Sequence, residues 1–296
     1  MRDAEALEDG FERNRIRLRA VAYRMLGSLA EADDAVQESW LRLSQSDSDA
    51  IENLDAWLTT VVVRICLNML RSRNTRREEL MGVRVPDPVI NHADGMSPED
   101  AALLADSVGL ALQVVLDTLA PAERLAFVLH DMFDLPFDEI APLVGRTPAT
   151  ARQLASRARR RVRGIEVQSP DPDVAQQRQV VDAFFAAARS GELNDLVAVL
   201  HPDVVLRADE GAARPGESVV VRGAAAVAGR ALLFERPLAR VRPALVNGAA
   251  GVVVTVAGEP VSVMGFTVAG GRIVQIDVMA DPERLAHLDL SVLGRA

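Results

Sequence analysis

The chain has 296 residues, 49% of them hydrophobic and 25% charged, which suits about two globular domains and excludes the disordered, collagen-like and coiled-coil classes. A net charge of −9 argues against a generic nucleic-acid binder, and the single cysteine, Cys66, excludes an internal disulfide or a multi-thiolate metal site. No apolar run approaches the roughly 18 residues of a spanning helix, and the first turns carry Asp3, Glu5, Glu8, Asp9 and Glu12 rather than a secretion signal, so the expected location is cytoplasmic, off the membrane.

From the start to Glu79 apolar residues recur at helical spacing: Leu18, Val21, Ala22, Met25, then Ala32, Ala35, Val36, Trp40, Leu43, then Trp57, Val61, Ile65, Met69. This predicts a small helical bundle over 1–80. Pro86, Pro88, Gly95 and Pro98 break the pattern and predict an extended linker over 81–105. Helices return over 106–165, and the acidic, proline-containing stretch 167–174 marks a second boundary. A third domain is expected over 174–290. It opens with a long helix (174–190), followed by alternating strand-like runs at 204–208, 219–222, 252–257, 261–268 and 273–279, the last two flanking a Gly270-Gly271 hairpin signal.

The charge is unevenly spread. Every basic side chain is arginine; residues 146–163 hold Arg146, Arg152, Arg157, Arg159, Arg160, Arg161 and Arg163 with no acid, and 64–77 hold five more with no acid. The first patch lies on a helix, tight turn, helix pattern: Phe137, Ile140, Ala141 and Val144 on one helix, a turn at Gly145, Thr147 as N-cap with Pro148 in the first turn, then a second helix. Burying Ala151, Leu154, Ala155, Ala158 and Val162 turns Ala149, Thr150, Arg152, Gln153, Ser156, Arg157 and Arg160 outward. In a major groove arginine pairs with guanine and glutamine with adenine, while Arg159, Arg161 and Arg163 are placed to neutralise phosphates. The competing reading is a solvated arginine-rich helix with no ligand.

"EADDAVQESWLRL" (31–43) and "LDAWLTTVVVRICLNMLR" (54–71) resemble region 2 of extracytoplasmic-function (ECF) sigma factors of bacterial RNA polymerase, and "TLAPAERLAFVLHDMFDLPFDEIAPLVGRTPATARQLASRARRRV" (118–162) resembles their region 4. The resemblance implies a multidomain chain of two all-α sigma domains, a region 2 bundle and a region 4 helix-turn-helix. It implies that Asp34, Gln37 and Glu38 dock the clamp helices of the polymerase β′ subunit and that region 4 meets the β flap. The −10 element would fall to the polar loop 44–53, with Asp47 and Asn53, and to Arg64, Asn68 and Arg71 on the next helix; the −35 element would fall to Thr150, Arg152, Gln153, Ser156, Arg157 and Arg160. Trp57 could stack on a base, but its i, i+4 partners Val61 and Ile65 favour a core position.

The tail, with "VVDAFFAAARSGELNDLVAVLHPDVVL" and "GFTVAGGRIVQIDVM", resembles an α+β SnoaL-like domain of the NTF2-like superfamily, a curved antiparallel sheet forming a cone. One sigma subgroup carries this fusion. Its linker and terminal motifs are matched by "VRVPDP" (83–88) and "DPERL" (281–285), and its glycine-rich motif, less closely, by "DEGAA" (209–213). Cis-regulatory contacts are therefore expected at Pro86, Asp87, Pro88, Asp281, Pro282, Arg284 and Leu285. An enzymatic tail would need an acid or base from His201, Asp203, Asp209 or Asp277; His201 and Asp203 read as a turn, Asp209 as a loop and Asp277 as outward-facing. No cofactor, metal or catalysis is expected. A small-molecule ligand in the tail, and a helix-turn-helix repressor or activator with a ligand-sensing tail, remain open alternatives.

Overall fold

The structure, a computed structural model, describes residues 2–47, 51–77, 83–104, 109–164, 170–211, 218–233 and 239–290. The chain divides into two compact units, the first built from Met1–Glu79, Ala102–Asp106 and Val115–Glu166, the second from Leu80–Ala101, Ser107–Val114 and Val167–Ala296. No helix of the described residues is long and apolar enough to cross a membrane.

In the first unit α1 (Arg2–Leu26), α2 (Leu29–Ser44) and α3 (Leu54–Arg77) form a bundle. Ser28 starts α2 by accepting the Glu31 N–H, a cap that satisfies one orphan donor of the first turn. Leu18, Val21, Ala22 and Met25 of α1 are fully buried against Ala32, Ala35 and Leu43 of α2. On α3 the buried set is wider than the expected stripe and shifted by one residue. Leu58, Val62, Val63, Ile65, Cys66, Leu67 and Leu70 are buried, while Trp57, Val61 and Met69 are half-buried. A helix flanked by α1, α2 and a further helix buries more than half its circumference, so its apolar face is broad.

That further helix is α6 (Pro121–Phe127), which follows α4 (Pro98–Leu104) and α5 (Gly109–Asp117). A five-residue π-helical turn (Val128–Met132) then leads to α7 (Phe137–Val144) and α8 (Pro148–Gly164). Arg124 of α6, 2% exposed, donates from Nε to the Arg24 carbonyl at 2.8 Å and pairs with Asp117, while the Arg24 guanidinium lies 5.2 Å from the Phe133 ring centroid. The α1–α3 bundle and the helix-turn-helix are thus packed into one unit. Burial pushes the Cys66 thiol up to about 12, against the pull of the Arg124 charge.

The second unit is built on a seven-stranded sheet: β1 (Ile90–His92), β2 (Leu200–Asp209), β3 (Val219–Arg222), β4 (Ala239–Val246), β5 (Ala249–Val256), β6 (Glu259–Ala269) and β7 (Arg272–Met279), in the order β1-β4-β5-β6-β7-β2-β3. The expected antiparallel sheet needs correction, because β2 and β7 run parallel. Between Leu200 and Val205 the register shifts at His201-Pro202-Asp203, which lies within β2 rather than in a separate turn. The α+β architecture expected of the tail is present. One face of the sheet is covered by α9 (Val174–Ser190), α10 (Leu193–Val199) and α11 (Ala224–Leu233), with Phe184, Phe185 and Phe266 packed edge-to-face in its core. The other face carries Ala244, Val246, Val253, Val263 and Met279, covered by Val85, Ile90, Leu110 and Leu285, the last on α12 (Pro282–Leu285).

Most of the segment read as a linker, up to Ala101, is therefore part of this second unit. Residues 85–91 are buried, and Ile90, Asn91 and His92 pair antiparallel with Val246, Leu245 and Ala244. Asp171, in the acidic stretch read as a boundary, is also docked. Its carboxylate accepts the Gly270 and Gly271 N–H groups at 2.9 and 3.0 Å, capping a β6–β7 turn whose two residues have φ of 58° and 71°.

Candidate functional site

The strongest site expectation was the second helix of the helix-turn-helix. Gly145 ends α7 at φ 64°, returning its N–H to Ala141 and Pro142, and Thr147 accepts the Thr150 N–H to open α8. Ala151, Ala155 and Ala158 are fully buried, and Leu154 and Val162 half-buried. This packing leaves Arg152, Gln153, Ser156, Arg157 and Arg160 exposed on one surface with Ala149, and Thr150 half-buried at its edge.

The cations of this helix divide by what holds them. Arg159 Nε donates to Asp131 at 2.5 Å and Arg161 Nη1 to Glu123 at 2.6 Å, so two of the three residues read as phosphate neutralisers are tied into internal ion pairs. The side chain of Arg163, the third, lies outside the described residues. Arg152 rests against the Phe137 ring, a contact that holds a guanidinium without neutralising it.

On α3, Arg64, Asn68 and Arg71 are exposed and lie within one helical stripe, which Trp57 and Val61 continue toward the helix start. Trp57 is thus half-buried on the cationic stripe rather than a core residue. Arg73, from the same basic patch, is instead structural: it pairs with Glu31 and donates to the Leu26 carbonyl at 2.7 Å. Asp47 and Asn53 are exposed, and the Asn53 side chain accepts the Ala56 N–H at 3.1 Å. Residues 48–50 of that loop lie outside the described residues.

Asp34 and Gln37 of α2 are exposed and Glu38 is half-exposed, pairing with Arg42 at 2.9 Å one turn on. Leu41, 46% exposed, extends the same face by a further turn. An acidic-polar helix face around an uncovered leucine is suited to a basic partner surface.

The expected cis contacts converge on Arg284. It donates from Nε to Asp87 at 2.7 Å, from Nη1 to Asp209 at 2.7 Å and from Nη2 to the Val85 carbonyl at 2.6 Å. Burial alone lowers its pKa, but the charges of Asp87 and Asp209 outweigh it, so the net shift is upward. Pro86, Pro88 and Leu285 are buried around this clasp and Pro282 is exposed. Asp281 caps α12 by accepting the Glu283 and Arg284 N–H groups.

Asp209, read as a loop acid, is a correction. It is 4% exposed at the end of β2 and also accepts the Val85 N–H at 2.9 Å and the Gly211 N–H at 3.1 Å. Gly211 stands at φ 79°, and a Cβ there would lie 2.4 Å from the Asp281 side chain. The fragment "DEG" of the weakly matching motif thus does take part, while Ala212 and Ala213 lie outside the described residues. Asn247 was missed: it exchanges hydrogen bonds with Val89 at 2.8 and 2.9 Å, binding the linker to the β4–β5 turn.

Asp277, read as outward-facing, is 2% exposed and paired with Arg207 at 3.3 Å and with Gln275. It borders a cavity of about 10 Å³, room for roughly one water, lined also by Leu110, Gly265 and Thr267. His201 and Asp203 are joined only locally, the Asp203 N–H donating to the imidazole. The described residues contain no cluster of acid, cysteine and histidine side chains suited to a metal ion.

Two family descriptions match the chain: sigma-70 region 2 over residues 11–76 and sigma-70, region 4 over residues 109–162. The ECF RNA polymerase sigma factor SigJ of Mycobacterium tuberculosis is 44% identical over 214 residues, spanning 72% of this chain and 68% of that protein. The probable ECF RNA polymerase sigma factor SigI of the same species is 34% identical over 275 residues, 93% of each chain. The crystal structure of the M. tuberculosis SigJ sigma factor superposes with a TM-score of 0.75 at 36% identity, covering 95% of this chain and 99% of that one.

Proposed function

The chain belongs to the extracytoplasmic-function sigma factors, whose role is transcription initiation, and from that premise we propose which of its surfaces does which part of the work. The outward face of α8 reads the −35 element, the Arg64, Asn68, Arg71 stripe with the loop at Asp47 and Asn53 meets the −10 strand, and Asp34, Gln37 and Glu38 dock the β′ clamp helices, with region 4 on the β flap. Acting on core polymerase places it in the cytoplasm, and the chain itself catalyses nothing. The observation that carries this reading is the exposed, acid-free face of α8 on a capped helix-turn-helix.

The test is run-off transcription with core polymerase and fragments of the source genome. Discrete promoter-specific transcripts that require this chain are expected. Operator binding that blocks rather than starts transcription would favour the repressor reading instead. Asp34→Arg with Glu38→Arg should abolish co-purification with core polymerase while leaving the helical fold intact, since both side chains are on the solvent face of α2.

The second part of the proposal is control in cis. Two elements centred roughly 25 base pairs apart are about 85 Å apart along B-form DNA, whereas a compact unit of about 140 residues has a radius of gyration near 14 Å. The first unit, with its bundle and helix-turn-helix packed together, describes a closed form that must part to reach both elements. Because the chain joining the bundle to region 4 is folded into the second unit through the Arg284 clasp, that clasp is placed to limit the parting.

A further inference from the structure

An exposed arginine loses most of its positional precision to rotamer averaging unless something holds its stem. On α8 the internal ion pairs of Arg159 and Arg161 hold those cations at the cost of their charge. Arg152 is held differently, with its Cζ 5.2 Å from the centroid of the Phe137 ring. A ring attracts the guanidinium through its quadrupole and leaves the charge and the edge N–H donors available.

Phe137 is itself supported. Its ring packs on the His130 imidazole with centroids 3.9 Å apart and planes at 35°. His130 Nδ1 lies 2.9 Å from the Leu135 carbonyl oxygen; a carbonyl only accepts, so Nδ1 carries the proton and donates. The local backbone is unusual as well. His130 sits in the π-helical turn, Leu135 returns its N–H to the Leu129 carbonyl at 2.9 Å, and Asp134 between them stands at φ 54°. A π turn inserts one residue into a helix and re-aims the side chains that follow. Here it brings an imidazole against the first residue of α7.

We propose that Phe137, backed by His130, is a positioning residue that presents the Arg152 guanidinium to the edge of one base pair, and so sets sequence discrimination at that position rather than affinity for DNA in general. The guanidinium carbon sits over the ring while the side chain as a whole is exposed, which leaves N–H donors for bidentate recognition of guanine O6 and N7. The proposal rests on the reading that α8 contacts the −35 element.

The experiment measures promoter binding and initiation by the full chain with core polymerase on templates in which each −35 base pair is changed in turn. Arg152→Ala should lower recognition by about 5- to 150-fold and erase preference at one base pair. Phe137→Leu should lower recognition by about 2- to 5-fold at that same base pair, with an unchanged salt slope. Phe137→Tyr should restore it, and the double variant should be no worse than Arg152→Ala alone. Stepwise fluorination of the Phe137 ring, which keeps its shape while draining the negative face, should reduce discrimination stepwise and covers the case in which Phe137→Leu fails to fold. A loss equal on every sequence, a loss that adds to that of Arg152→Ala, or indifference to fluorination overturns the positioning role. If Arg152→Ala itself leaves base preference intact, the assignment of α8 falls, and the proposal with it.

Discussion

Asp277 shows how far alternation along a strand carries. Ile276 and Val278 point into the core under α9–α11, so period 2 correctly puts Asp277 on the opposite face of β7, but it cannot say whether that face is wet. It is not wet, because the residues that cover it come from elsewhere in the sequence: Val85, Ile90, Leu110 and Leu285. Burial raises the Asp277 carboxyl above the ordinary carboxylate value, and Arg207 and Gln275 pull it only part of the way back. A raised folded value means a contribution to stability that is complete below the unfolded carboxylate range and is lost as pH climbs through the folded value. Asp277→Asn, which cannot ionise, should therefore gain on the parent protein as pH rises from about 4 toward neutrality, then hold a constant difference. Denaturant unfolding of both proteins across that range measures it; a gap independent of pH would show that the carboxyl does not titrate there.

At the scale of elements, a basic stripe did not reveal which of its arginines would be spent internally. Arg157 and Arg160 are exposed, whereas Arg161 pairs with a Glu123 side chain that is only 9% exposed. Arg157→Ala should weaken promoter recognition by about 1–3 kcal/mol, mapping to the −35 element. Arg161→Ala should act mainly on the fold, lowering the melting temperature by stranding Glu123. Binding titrations and thermal melts of the two variants separate the roles.

The clasp gives a companion expectation. Asp87 and Asp209 are 6% and 4% exposed, and Arg284→Ala takes the Arg284 charge away from both buried carboxylates, at a cost of about 3–5 kcal/mol to the second unit. Amide hydrogen exchange should quicken first at Val85 and Val89, whose N–H groups donate to Asp209 and Asn247. If those amides exchange no faster than in the parent, Arg284 does not hold the linker.

The helices of both sigma regions and α9 were legible because long periodic segments with caps such as Thr147 and Asp173 are dictated locally. Strands β1 and β4 and helices α10 and α11 were not read. Pro243 and two arginines break the pattern of β4, and a proline is tolerated there because three-residue β1 pairs only with residues 244–246. The signal that existed was Asn247-Gly248, a two-residue hairpin sequence between β4 and β5. The parallel β2–β7 pairing, joining residues 70 or more apart, has no local signature.

For the molecule as a whole, two modules expected to be separate proved to be packed in one unit, and its interior provides a reporter. Cys66 is fully buried, within the field of Arg124. Its thiolate is scarce at neutral pH, so alkylation of the free chain must wait for opening. Arg124→Ala should strand the nearly buried Asp117 side chain and release the Arg24 carbonyl, raising the alkylation rate by roughly two orders of magnitude if helical content persists. Mass spectrometry of the iodoacetamide adduct over time gives the rate, and an unchanged rate would place the Arg124 contacts outside the opening that exposes Cys66.

Strand β1 ends one side of the seven-stranded sheet, and it is made from the same segment that joins the bundle to region 4. Whenever that segment leaves, the stretch of β4 from Ala244 to Val246 loses its paired neighbour on that side, and a bare strand edge is a template for pairing with another chain. Releasing the linker therefore carries a hazard of aggregation as well as a gain of reach. A freed chain should be safest where polymerase keeps it dilute and occupied, and most prone to self-association when it is released in excess of its partner.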